Sequence, residues 1–225
     1  MSSQLQILPY ELRKEGLRGF RVYSGGVAVS RKPVPVARAV QQAKALIAGG
    51  KAEDIKEYAL SDDDMLKIIP TLWIMPYPDI LRARSIDDVL DEKGRLMLLY
   101  LTEDQNTGHW VCLLKYRDQP ILEFFDPYGI APDNESKWLT QEKLEQFGQD
   151  TKHLSKLLRE SPYKVIWNKT KFQKDVSDIN TCGRHCLCRL YMKHLTLPQY
   201  TKLLKSSGVS PDDFVSGFTY NLIGR

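Results

Sequence analysis

The segment 108–129, GHWVCLLKYRDQPILEFFDPYG, decides the fold that this sequence predicts. Two apolar runs with the composition of β-strands are joined by the turn-type residues 117–120, which is the pattern of a β-hairpin. In that hairpin Tyr116 pairs with Ile121. This pair sets the register of the whole hairpin, because side chains alternate between the two faces of a sheet.

A histidine and an aspartate lie close together in the predicted hairpin. The register places Val111 opposite Asp126, and His109 lies two residues from Val111 on the same face. Diagonal neighbours are about 7–8 Å apart at the backbone, which an imidazole and a carboxylate can bridge. One hairpin thus offers a base and an acid to orient it. The plainer interpretation is a structural histidine beside a turn of sequence Asp-Pro-Tyr-Gly.

Helices and further strands surround the hairpin without a repeated βαβ rhythm, which predicts an α+β fold. An Ala-rich helix is expected over Val36–Ile47, and short helices are expected to open at Ser61 and Ser85. The strands expected are Arg95–Thr102, His109–Tyr116, Ile121–Phe125 and Tyr163–Trp167. The later helices expected are one or two over 138–160, one over Cys182–His194 and two beyond it.

The composition is that of a globular protein, with 225 residues, 42% hydrophobic and 27% charged. This excludes collagen, coiled coil and wholesale disorder. No apolar run is long enough to span a membrane, and the chain does not begin with the pattern of a signal peptide. We therefore expect neither a membrane partner nor secretion.

The positive charge is concentrated near the N-terminus. Residues 1–60 carry ten Lys and Arg against five Asp and Glu, a net +5, whereas the remaining 165 residues hold −1. We predict a basic N-terminal arm and helix over 1–60, followed by a compact domain over 61–225. The arm is either a solvated extension or a weak binding site for DNA.

The segment 180–191, NTCGRHCLCRLY, contains a candidate nucleophile. Cys182 falls in the first turn of a predicted helix, after the capping-type residues Asn180 and Thr181. The partial positive charge of a helix N-terminus lowers the pKa of a thiol there. The backbone N–H of Cys182 is free for an oxyanion, and Gly183 allows close approach of a substrate.

A metal site is the competing interpretation of this segment. Cys182, His185 and Cys186 share a helical face, but Cys188 points elsewhere and the paired C-x-x-C motifs of structural zinc sites are absent. We therefore expect no metal. Cys186 is predicted to pack in the core, as is Cys112.

In their order, these motifs resemble the adenain/Ulp1-like clan of cysteine proteases. The residues in these motifs are most similar to those of the maturation proteases of virophages and large DNA viruses. The motifs are Gly108-His109-Trp110, Phe125-Asp126-Pro127-Tyr128-Gly129 and Thr181-Cys182-Gly183-Arg184-His185. The resemblance implies a papain-like/Ulp1-like fold with a central mixed sheet and flanking helices. It also implies that 61–225 is the catalytic domain and that no cofactor is needed.

The resemblance implies roles for individual residues. Cys182 would be the nucleophile, His109 the general base and acid, and Asp126 the group that orients the imidazole. The clan uses a Gln before the Cys as an oxyanion donor. Gln173, nine residues before Cys182, is the candidate, and Asn168 is the alternative.

The clan also suggests how substrate is bound. Trp110, after the histidine, would roof the substrate channel, with Gly183 beside the nucleophile. A roof of this kind favours small residues, often glycines, before the cleaved bond.

The function implied is that of a monomeric cysteine endopeptidase. It would process capsid or scaffold precursors during virion maturation, in the virion and the host-cell cytoplasm. The alternatives are a protease that removes a ubiquitin-like modifier and a non-catalytic binding module. The segment 23–27, YSGGV, also resembles a glycine-ended cleavage site, so self-processing after Gly26 is an alternative to a simple turn.

Overall fold

The structure is a computed structural model and describes residues 36–104, 107–134 and 139–223. The predictions for residues 1–35, including the DNA-binding arm and cleavage after Gly26, lie outside these residues. The helices are α1 (Val36–Ala48), α2 (Ala52–Glu57), α3 (Asp62–Ile68), α4 (Tyr77–Ile80), α5 (Gln141–Gln146), α6 (His153–Glu160), α7 (Cys182–Tyr191), α8 (Leu197–Lys205) and α9 (Pro211–Ile223). A 3₁₀ turn spans Ile86–Val89. The strands are β1 (Ile74–Pro76), β2 (Arg95–Leu101), β3 (Gly108–Lys115), β4 (Ile121–Phe125) and β5 (Lys164–Trp167).

The strands form one mixed sheet in the order β1-β2-β3-β4-β5. Strand β3 is antiparallel to both β2 and β4, whereas the edge strands β1 and β5 run parallel to β2 and β4, respectively. The mixed α+β architecture with a central sheet and flanking helices is confirmed.

The predicted hairpin is present with the predicted register. Cys112 pairs with Phe125, and the backbone N–H of Tyr116 donates to the Ile121 carbonyl at 2.9 Å. Continued by one step, this register brings Val111 opposite Asp126. The start of β3 and the end of β4 therefore meet at one end of the hairpin, where the candidate site lies.

Both faces of the sheet are covered. One face packs against α3, α7, α8 and α9 through Met97, Cys112, Leu114 and Phe125. The other packs against α4, the 3₁₀ turn and α6 through Leu98, Val111, Leu113 and Phe124. Because the central strands are buried on both faces, β2 is apolar at nearly every position instead of alternating.

Helix α1 lies against the C-terminal helix α9. Ala39 and Ala43 are buried, and a Cβ on Gly217 would come within 2.6 Å of the Ala39 carbonyl oxygen and the Ala43 nitrogen. Ala39 and Leu60 belong to the same core as α7 and α8. The described part of the segment 1–60 therefore packs with the domain that follows it.

The shortest elements have no counterpart among the predictions. Strand β1 has three residues, α4 four and α2 six, which is too short for a hydrophobic period to show.

The expected helix starts at Ser61 and Ser85 are present, each with a serine N-cap. Across the described ranges, no helix is both long and apolar enough to cross a bilayer.

Candidate active site

The predicted site residues lie together at the start of β3, the end of β4 and the start of α7. His109 is the second residue of β3, Asp126 directly follows β4, and Cys182 begins α7. The antiparallel pairing of β3 with β4 places the first two side by side, and α7 packs across β3. Each residue therefore sits at a point that the fold holds rigidly.

His109 and Asp126 form a buried pair. The Nε2 atom of His109 lies 2.8 Å from Oδ1 of Asp126, with the His109 side chain 7% exposed and that of Asp126 fully buried. The carboxylate also accepts backbone N–H groups from Tyr128 at 2.8 Å and Ile130 at 3.1 Å. The turn that follows β4 thus fixes the carboxylate that orients the imidazole.

Asn168 also supports Asp126 rather than facing a substrate. Its Oδ1 accepts the Asp126 N–H at 2.9 Å, and its Nδ2 donates to the Asp126 carbonyl at 2.6 Å. A further hydrogen bond joins Nδ2 to the Thr170 carbonyl at 3.1 Å. Both amide hydrogens are used in this way, so Asn168 would have to give up a bond to Asp126 or Thr170 to act as the alternative oxyanion donor.

His109 and Cys182 interact directly and alter one another's pKa. Burial alone would lower the pKa of His109, but hydrogen bonds to Asp126 and Cys182 outweigh it and raise the pKa to about 10. Burial would raise the pKa of Cys182, yet the hydrogen bond and charge of His109 and the backbone N–H groups of Trp110 and Gly183 lower it. Since Nε2 faces Asp126, Nδ1 is the ring nitrogen left for the thiol. The arrangement favours a thiolate–imidazolium pair.

Tyr128 packs on the imidazole and connects it to Gln173. The rings of His109 and Tyr128 stack, with centroids 4.7 Å apart and an interplanar angle of 22°. Nε2 of Gln173 donates to the Tyr128 hydroxyl at 3.2 Å and to the Ile179 carbonyl at 2.9 Å. Gln173 is therefore buried at the edge of the site, one hydrogen bond away from the ring that covers His109.

A long groove opens at the thiol. It has a volume of about 1310 Å³, and both Cys182 and Trp110 line it. Its apolar walls come from Leu60, Leu66, Met75, Leu99, Leu101 and Phe147. The thiol of Cys182 and the indole of Trp110 therefore lie on the wall of the same groove.

Gly183 makes room for neighbouring side chains. It is buried, and a Cβ added there would lie 2.9 Å from Cε of Met65 and 3.3 Å from Cδ1 of Trp110. The absence of a side chain at Gly183 therefore lets Trp110 and Met65 pack closely against the first turn of α7.

The remaining residues of the cysteine segment have other partners. His185 Nε2 donates to Asp212 at 3.0 Å, and the Cys186 thiol donates to the Trp110 carbonyl at 3.3 Å. Cys112, Cys186 and Cys188 are buried, as expected for Cys112 and Cys186. Within the described residues, His, Cys, Asp and Glu side chains gather into no group of three or more that could hold a metal ion.

No pattern in the sequence indicated that Tyr128 stacks on His109 or that Asp212 binds His185. Tyr128 lies in a motif that also reads as an ordinary turn, and Asp212 is 30 residues beyond Cys182. The predicted capping role of Thr181 is also not what the structure shows, because Thr181 is the N-cap residue of α7 but makes no capping hydrogen bond with its side chain.

Comparison with known proteins gives a viral relative. The "Uncharacterized protein V9" of Sputnik virophage is 38% identical over 175 residues, covering 74% of this chain and 99% of V9. No model of a known protein family matches the chain. The central domain of the uncharacterized Lpg1148 protein from Legionella pneumophila is 20% identical, over 74% of this chain and 99% of that domain. Its TM-score of 0.33 is too low to support an argument.

Proposed function

This chain belongs to the family of the Sputnik virophage protein V9, and we propose that it is a cysteine endopeptidase with a papain-like/Ulp1-like fold. The observation that carries the proposal is that three side chains interact in series. Oδ1 of Asp126 lies 2.8 Å from Nε2 of His109, and His109 is hydrogen-bonded to Cys182. An orienting acid, a base and a thiol in this order form the arrangement that activates a nucleophile.

The proposed reaction has two steps. The Cys182 thiolate attacks the carbonyl carbon of the scissile peptide, and the imidazolium of His109 gives its proton to the departing amine. This leaves a thioester on Cys182. His109 then takes a proton from water, the resulting hydroxide attacks the thioester, and the carboxylic acid product leaves as the Cys182 thiolate and the His109 imidazolium are regenerated.

The oxyanion that forms in each step needs donors. The backbone N–H of Cys182 lies at the start of α7, where no earlier turn of the helix uses it. The amide of Gln173 is the second proposed donor. Because Nε2 of Gln173 is bonded to Tyr128 and Ile179, donation to an oxyanion requires it to give up the longer bond, to Tyr128.

The substrate proposed is a precursor of the virus particle. The relative is a virophage protein, and the resemblance to the adenain/Ulp1-like clan implies a substrate channel that favours small residues before the cleaved bond. Such an enzyme would act in the virion and in the host-cell cytoplasm where particles assemble. Removal of a ubiquitin-like modifier uses the same chemistry, so substrate tests must separate the two.

Alkylation of the native protein tests the proposed thiolate. We expect iodoacetamide to label Cys182 rapidly well below the ordinary thiol pKa of about 8.5, with each cysteine followed by peptide mass spectrometry. His109→Ala should abolish this reactivity at low pH. The buried Cys188 is the internal control and should label slowly in both proteins. A Cys182 thiol that reacts like a free cysteine would contradict the proposal.

Cleavage assays then separate the substrates. We expect cleavage of the co-encoded capsid proteins and of glycine-containing peptides, and no cleavage by Cys182→Ala. A reporter that releases only a folded modifier ending in Gly-Gly distinguishes the alternative. Cleavage of that reporter without cleavage of capsid proteins would favour deconjugation.

A further inference from the structure

Thr181 stands at the N-cap of α7 and leaves the helix uncapped. An N-cap threonine normally accepts a backbone N–H of the first turn through its hydroxyl. Here the hydroxyl instead donates to Oδ1 of Asp212 at 2.6 Å. Because the Thr181 hydroxyl bonds to Asp212 and not to α7, the first backbone N–H groups of α7 can donate to the Cys182 thiol and to a substrate oxygen.

Asp212 binds three groups at once, and two of them, the side chains of Thr181 and His185, are buried with it. Its Oδ1 accepts the Thr181 hydroxyl at 2.6 Å and Nε2 of His185 at 3.0 Å. Its Oδ2 accepts the backbone N–H of Lys174 at 3.1 Å. Asp212 is 1% exposed, and Thr181 and His185 are fully buried. Water cannot replace a hydrogen bond at such a buried carboxylate, so loss of any of these bonds costs free energy.

The bound groups flank the two proposed oxyanion donors. Thr181 directly precedes Cys182, and Lys174 directly follows Gln173. The two donors come from separate segments, and one carboxylate on α9 holds both. The distance between the Cys182 N–H and the Gln173 amide therefore depends on Asp212.

We propose that Asp212, acting through Thr181 and the Lys174 backbone N–H, is a positioning residue that sets the geometry of the oxyanion hole. The inference rests on the proposed protease activity. Asp212 touches neither the thiol nor His109 in the described contacts, so its effect falls on the stabilisation of the oxyanion and not on the formation of the thiolate.

Thr181→Val in the full chain tests the inference, because it keeps the shape of the side chain and removes the hydroxyl. With a glycine-ended peptide amide we expect kcat to fall about 10- to 100-fold, the effect of a displacement of about 1 Å, with KM unchanged. The affinity for a peptide aldehyde, whose adduct carries the oxyanion, should fall by the same factor as kcat/KM. The rate of Cys182 alkylation should stay at the wild-type value, and Thr181→Ser should restore kcat.

Thr201→Val on α8 is the matched control and should leave all these values unchanged. If Thr181→Val does not fold, Asp212→Asn gives the same test. The asparagine amide places an NH2 group where Oδ2 accepted the Lys174 N–H, so that hydrogen bond is lost. Wild-type kcat in a folded variant, or an equal loss of alkylation and kcat, would overturn the inference and leave the protease activity standing. A wild-type chain that neither cleaves peptides nor shows a reactive Cys182 would overturn both.

Discussion

The charge on Cys182 depends on a carboxylate that it does not touch. Asp126 raises the pKa of His109 against the opposing effect of burial, and the imidazolium in turn lowers the pKa of Cys182. The ion pair exists at pH values between the two pKa values. It is lost at low pH when the thiolate is protonated, and at high pH when His109 loses its proton near pH 10.

Asp126→Asn should therefore move the alkaline limit of activity to lower pH. Loss of an adjacent negative charge lowers the pKa of an imidazole by about 1–3 units, so the alkaline limb of kcat/KM should shift down by about that much. A full pH profile of peptide cleavage measures it. Asp118→Asn, in the exposed turn between β3 and β4, is the control and should keep the wild-type profile. An unchanged alkaline limb in Asp126→Asn would show that another group supports His109.

At the scale of elements, α7 is held against the sheet by a buried ion pair. Arg189 donates Nε to Glu123 Oε1 at 2.7 Å and Nη2 to Oε2 at 2.8 Å, and both side chains are fully buried. The Tyr116 hydroxyl donates to the same carboxylate at 2.7 Å. This pair connects β4, which leads to Asp126, with the helix that begins at Cys182.

Glu123→Gln is expected to destabilise the protein strongly. Removing one charge of a buried pair leaves the other uncompensated, which costs about 3–5 kcal/mol. Urea unfolding measured by circular dichroism gives the free energy of unfolding directly. Glu103→Gln, at an exposed position after β2, should change it by less than about 0.5 kcal/mol. Equal stabilities for the two variants would mean that the ion pair contributes nothing.

The hairpin and the helix start at Cys182 were predictable because their signals are local. Two apolar runs and a four-residue turn predict the hairpin, and Asn180 and Thr181 mark the helix start within a short segment even though the Thr181 side chain does not cap the helix. The bond between Glu123 and Arg189 spans 66 positions, and Asp212 meets Thr181 across 31. Neither pair has a local pattern, so the sequence indicated the candidate site residues but not the buried bonds that hold their elements in place.

At the scale of the whole molecule, the first described helix and the last one pack together and close the core. The close approach of α1 and α9 requires small residues where the helices meet, which Ala39, Ala43 and Gly217 supply. Composition predicted an Ala-rich helix but not its partner, because α9 lies at the opposite end of the sequence. Asp212 lies on α9, so the packing of α1 against α9 can affect the position of Asp212 beside the candidate site.

Gly217→Ala tests this packing. A methyl group there would lie 2.6 Å from backbone atoms of Ala39 and Ala43, so the helices must separate. Overpacking of this kind costs about 1–3 kcal/mol, which lowers Tm by roughly 2–12 °C in a protein of this size. Thermal unfolding should show this loss even though alanine favours a helix more than glycine does. Lys44→Ala, on the exposed side of α1, should leave Tm unchanged. If Gly217→Ala is as stable as the wild type, α1 does not pack against α9 as described, and the N-terminal segment is independent of the domain that carries the site.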